Sequence, residues 1–217
     1  MPLSQQAEQI FAQIKDESTK LGDLRKIAKE IKKDHELALE LWSTANFMAR
    51  QLAILIMDKK QIDQAFIDQI DADIQSHDAK EKNHLTDWFM ANQLAKDKRL
   101  KAFMESWEES PSAMQRRIFW YHQARLRWMG NTDHANTDQL LSSIEANMPG
   151  EKEEVQWAMN FTAGWIGVFD EANRKRCINI GETTGLYKDE IVAKNCTPSY
   201  LPEFIRIEVA KKVSSDK

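Results

Sequence analysis

Three helical stripes hold the side chains best suited to chemistry. His84, Trp88, Asn92, Ala95 and Arg99 fall on one face at helical spacing, with Leu85 and Phe89 on the neighbouring face. Arg116, Trp120, Gln123 and Arg127 make a second stripe. The third is the run Val155-Gln156-Trp157-Ala158-Met159-Asn160-Phe161-Thr162-Ala163-Gly164-Trp165-Ile166-Gly167. Between Met114 and Gly130 the arginines Arg116, Arg117, Arg125 and Arg127 have no acidic neighbour in the sequence. Guanidinium groups suit phosphates because they donate paired hydrogen bonds and keep their charge, so this segment points to an anion site. The alternative is structural: helical arginines often form salt bridges or cover apolar surface. Large aromatic residues, of which tryptophan alone numbers seven, mostly belong to cores.

Other chemistries find little support. Five scattered histidines without a C-x-x-C or H-x-x-x-H pattern argue against a metal site. Cys196 has Lys194 nearby but no adjacent histidine to act as its base, so a small residue fixing a turn is the expectation. Neither a Gly-rich phosphate loop nor a Ser/His/Asp cluster is visible, and no cofactor is expected.

The elements that must position these stripes are helices. Prolines occur only at 2, 111, 149, 198 and 202, and no glycine lies between Gly22 and Gly130. Long breaker-free stretches rich in Ala, Leu, Glu, Lys and Gln favour helix, and no run alternates as a strand would. Leu24, Ile27, Ala28 and Ile31 recur at three- and four-residue steps, after Gly22-Asp23 as an opening. His35–Trp42 follows, and Phe47–Met57 is apolar nearly throughout, as an inner helix covered on most sides must be. Asn83–Ala95, Ala113–Met129 and Glu154–Val168 are further inner candidates. Taking Arg50, Trp88, Arg117 and Trp157 as centres gives a spacing of about 30–40 residues, a repeat of helical pairs that stack. A single irregular helical bundle fits the periodicity equally well. The linkers Gly130-Asn131-Thr132-Asp133 and Met148-Pro149-Gly150-Glu151 bracket a helix over Thr137–Asn147, with Thr137-Asp138 as its cap. From about 185 the chain becomes irregular, and a short helix around Pro202–Val209 closes it.

Net charge is −4, where nucleic-acid-binding domains are usually basic. Its distribution is uneven. Residues 61–115 carry six cations and eleven anions, 131–173 one and eight, and 174–217 nine and six. One basic surface is therefore compatible with the acidic total. No apolar run approaches the roughly 20 residues that cross a bilayer, and the N-terminus lacks a signal pattern. Two cysteines build no disulfide framework, so a reducing cytoplasm is expected.

The tail Lys194-Asn195-Cys196-Thr197-Pro198-Ser199-Tyr200-Leu201-Pro202, preceded by Gly185-Leu186-Tyr187-Lys188-Asp189 and followed by Phe204-Ile205, resembles the end of one branch of the HEAT-like-repeat DNA alkylation repair family, the AlkD-like glycosylases. There the pattern reads Lys-Gly-Cys-Thr-Ser-Pro-Tyr-Ala-Pro, so Asn195 replaces a glycine and Pro198-Ser199 are exchanged. The resemblance extends from about Leu21 to Ile205. It implies an all-α fold of HEAT-like pairs stacked into a curved solenoid, one domain over 1–217 with a C-terminal cap, whose concave wall binds duplex DNA. A monomer is expected.

The same resemblance assigns roles. Trp88 matches an indole followed four residues later by a catalytic aspartate, a position held here by Asn92. Asp87 lies about 100° away around the helix. Arg116 matches an arginine that grips the DNA backbone, with Arg117, Trp120 and Arg127 beside it. Arg50, in Ala49-Arg50-Gln51-Leu52-Ala53, follows a position where an arginine or similar group is common; a buried structural arginine is the other reading. Phe161 stands where the family has a second tryptophan against the damaged nucleotide. The implied chemistry is hydrolysis of cationic alkylated purines from the sugar, without metal or organic cofactor. With Asn92 in place of the carboxylate, an inactive relative that binds DNA or a protein partner is the alternative.

Overall fold

In a computed structural model, residues 2–16, 18–129 and 135–215 are described, and they are helical with no strand among them. The linker at 130–133 lies outside the described residues. Two compact units divide the chain, Met1–Ser106 and Trp107–Lys217.

The first unit runs α1 (Gln5–Ile14), α2 (Leu21–Ile31), α3 (His35–Ser43), α4 (Phe47–Ile56), α5 (Gln64–Ile74), α6 (Ala79–Asn92) and α7 (Lys98–Glu105). Most starts are set by a short polar side chain that accepts a backbone N–H of the first turn: Ser4, Asp34, Asn46, Asp63, Asp78 and Asp97 all do so. α4 is the inner element foreseen from its apolar composition. Ala49, Arg50, Gln51, Leu52, Ala53, Ile54 and Ile56 are all buried, with α2, α3 and α6 packed around it. Gly22 does not open α2 but sits inside its first turn.

The second unit runs α8 (Ala113–Trp128), α9 (Thr137–Asn147), α10 (Glu153–Phe169), α11 (Glu171–Thr184) and α12 (Leu201–Ser215). α8 packs along α10, which also bears α11 and α12. The expected Thr137-Asp138 cap is displaced by one residue: Asn136 is the N-cap, and its side chain accepts no backbone N–H of the first turn. Thr137 is instead buried, where its hydroxyl accepts from Arg127. The final helix is longer than foreseen, because apolar residues of α12 are held on α10 and α11.

Glycine makes that docking possible. A Cβ at Gly164 would lie 2.8 Å from the Phe204 ring, at Gly167 2.5 Å from Ile205 Cδ1, and at Gly181 2.6 Å from Leu201 Cβ. The tail motif therefore ends in three residues that fit a glycine-lined seat. α11 stops at Gly185, whose φ of +63° is the left-handed cap that glycine adopts without strain.

Candidate functional site

In the first unit, α6 carries Trp88, which is braced on several sides. Its indole N–H donates to the Gln51 carbonyl of α4 at 3.1 Å. The His84 ring stacks on it at 5.9 Å and 24°, and the Arg25 guanidinium lies 5.1 Å from its centroid. Arg25 of α2 was not foreseen, since nothing in its local sequence marks it. Asn92 closes the same helix, its side-chain amide donating to the Trp88 carbonyl at 2.9 Å. Beside these residues lies a cavity of about 400 Å³, lined in part by Phe47, Met48, Gln51, Glu81 and His84. Burial pushes the His84 imidazole below its ordinary pKa, opposed by the nearby Asp87 carboxylate. Arg50 is 5% exposed; it donates to the carbonyls of Trp42 at 3.3 Å and Asp73 at 2.7 Å and lies over the Trp42 ring. That is the buried structural arginine of the two readings.

In the second unit, the arginines of α8 turn inward. Arg116 makes a two-pronged contact with Glu151, both bonds at 2.9 Å, and a third bond to the Ser110 carbonyl at 2.6 Å. Its acid lies 35 residues away, which is why the local absence of acids was a poor guide. Glu151 is held below the usual carboxylate range: burial alone would raise it, but the Arg116 bonds and the Lys152 N–H prevail. The pair borders a cavity of about 420 Å³ that also contains Glu108 and Glu109. Arg117 donates to the Glu154 carbonyl at 2.8 Å and lies over Trp157 at 4.8 Å. Arg127, 2% exposed, donates to the Gln123 carbonyl at 3.1 Å and to Asn136 Oδ1 at 3.0 Å. Trp120, 2% exposed, belongs to the core, and its carbonyl accepts from Thr162 Oγ1.

Phe161 has different surroundings. It belongs to a row of rings along α10, Trp157, Phe161, Trp165 and Phe169, each partly open to solvent. Trp157 and Phe161 stack at 4.9 Å and 14°, with Tyr121 of α8 against both. Trp165 stacks with Trp128 at 5.8 Å and with Phe169 at 5.8 Å. Phe204 of α12 meets Phe161 and Trp165 edge-on. The four-residue spacing was visible in the sequence, whereas the contribution of Trp128, from the far end of another helix, was not.

Cys177 is buried, and burial pushes its thiol up to about 12, while Cys196 is exposed. Among the described residues no helix is long and apolar enough to cross a membrane, and no group of three or more His, Cys, Asp or Glu side chains is placed to hold a metal.

A family model described as DNA alkylation repair enzyme matches residues 7–171. A search of curated proteins returned no match. Among solved structures, the chain is similar to one described as "a new family of proteins related to the HEAT-like repeat DNA glycosylases with affinity for branched DNA structures". Identity is 19% and the TM-score 0.66, over 99% of this chain and 90% of that one, so the likeness carries the fold. The family match ends before the tail motif, and membership therefore stands on the helical body: this chain belongs to the DNA alkylation repair enzyme family.

Proposed function

We propose that this protein binds DNA at branched or distorted sites and does not excise bases. The observation that carries the reading is Asn92. An N-glycosidic bond breaks with positive charge developing on the sugar, and a carboxylate stabilises that charge directly. Asn92 has no formal charge, and its side-chain nitrogen is bonded to the carbonyl of Trp88. Phe161 remains a position assigned to face DNA, whereas Trp88, matched to the family's other ring, has its indole engaged by Gln51, His84 and Arg25. Arg116 and Arg117 support this reading as braces that tie α8 to the start of α10, which carries Phe161, whereas Arg50 and Arg127 hold neighbours elsewhere. The structurally similar protein's affinity for branched DNA makes junctions the first substrate to try.

The test has two arms. Incubated in excess with N-methylated duplex, the protein should release no 7-methylguanine or 3-methyladenine above the uncatalysed rate. In band-shift titrations it should bind a four-way junction more tightly than a linear duplex of equal length. Release of methylated base at stoichiometric protein removes the non-excising part, and no affinity for either DNA removes the binding part.

A further inference from the structure

We infer that the ring row of α10, extended by Trp128, is a stacking platform for unpaired nucleobases. This rests on the DNA-binding reading and names the part of a branched DNA that the protein engages. Trp157, Phe161, Trp165 and Phe169 recur every four residues, so each ring rises about 6 Å along the helix from the one before. Successive ring centroids are 4.9, 5.9 and 5.8 Å apart. Trp128 stacks on Trp165 at an interplanar angle of 16° and still leaves 48% of its surface exposed. It is the open member of a three-ring group with Trp165 and Phe169.

Charge selects the occupant. The exposed Lys212 has its Nζ 4.5 Å from the Phe169 centroid at one end of the row. Arg125, three residues before Trp128, touches the Met129 sulfur at 3.9 Å, and no carboxylate pairs with it among the described residues. Open π-faces with flanking cations match a strand that alternates flat bases with phosphates. An apolar protein segment would use the rings but gain nothing from the cations. Within a paired duplex, both faces of a base are covered by neighbours about 3.4 Å away. Only a base freed from pairing, at a fork, flap or junction, has a face to offer Trp128.

The experiment titrates full-length protein into labelled oligothymidine, a forked duplex with single-stranded arms, and a linear duplex. The fork should bind more tightly than the duplex. Trp128→Ala should weaken oligothymidine and fork binding about tenfold, with less than a twofold change on linear duplex. Trp128→Phe should retain most of the affinity. Arg125→Gln should reduce the logarithmic salt slope for oligothymidine by about one. Because Trp128 is exposed, a circular-dichroism melt of the alanine variant should match the parent, and a collapsed melt would assign the indole to the core and overturn the platform. Fork binding unchanged in a folded Trp128→Ala variant overturns the platform while the DNA-binding reading stands. Equal loss on all three DNAs overturns the unpaired-base assignment. No affinity for any of them overturns both readings.

Discussion

Trp88 and Trp165 are both partly buried tryptophans on packed helices, yet the two units treat them oppositely. Trp88 is consumed locally: Gln51 accepts its N–H, His84 covers its ring, Arg25 adds a cation, and Asn92 is bonded to its backbone. Trp165 is one ring in a partly open series, and its indole N–H finds no acceptor among the described residues. A buried donor left unmade costs about 1–3 kcal/mol, a cost that the Trp88 indole avoids through Gln51 and the Trp165 indole carries. The same residue type serves as a brace in one unit and as a surface in the other.

The contrast depends first on the seat of α12, and the largest effect should come from filling it. Gly181→Val puts a branched side chain where Cβ already lies 2.6 Å from Leu201 and 2.7 Å from the Pro202 ring, neither of which can rotate away. A loss of about 3 kcal/mol in urea unfolding is expected, the upper end for overpacking, and Phe204 should leave the ring row. An unchanged midpoint would show that α12 is not needed to hold the rings.

Next comes the inward arginine of the second unit. Arg116→Ala strands a carboxylate whose side chain is only 19% exposed, and should cost about 1–2 kcal/mol. Since Glu151 is depressed when folded, the pair's contribution is complete above the ordinary glutamate range, and falls as pH drops through the lowered folded value. Urea midpoints measured from pH 7 to pH 3 should converge for parent and variant. If instead Arg116→Ala leaves stability alone and flattens the salt dependence of DNA binding, Arg116 is a phosphate ligand after all.

In the first unit, Asn92→Asp exchanges the amide donor for a carboxylate at the C-terminal end of α6, where the helix dipole disfavours negative charge. A loss of about 1 kcal/mol at pH 7 is expected, recovering as the new carboxyl is protonated. A stability equal to the parent would mean that the Trp88 bond contributes nothing.

The smallest effect concerns His84. Its folded pKa is lowered, so the unfolded state binds the proton first. Stability should rise with pH between that lowered value and about 6.5, the unperturbed pKa, and be flat above. The slope is modest because the Asp87 carboxylate opposes the effect of burial. His84→Asn should remove it, and an NMR titration of the ring at or above 6.5 would contradict the burial argument.

Helix existence was readable from periodicity because a buried stripe must recur every three or four residues wherever the chain packs. α4, α8 and α10 emerged nearly to their ends, and the residue pattern of the tail pointed to the family. Where a side chain goes was less readable. Arg116 has no acid near it in sequence but finds Glu151 on the far side of α9, and Trp120 shares a helical stripe with it yet is fully enclosed. Thr137 was read as a cap and proved to be a buried partner of Arg127.

Composition and spacing were enough to specify an all-helical chain, because propensity and period are local signals, while Trp88, Asn92 and Phe161 were singled out by the resemblance to the family. Partner choice was settled only on folding, since a guanidinium or an indole bonds whatever the packing brings within about 3 Å. That is why Arg116, Arg117 and Arg127, without acids beside them in sequence, became braces, while Trp128, unremarkable in sequence, became the open end of a stack.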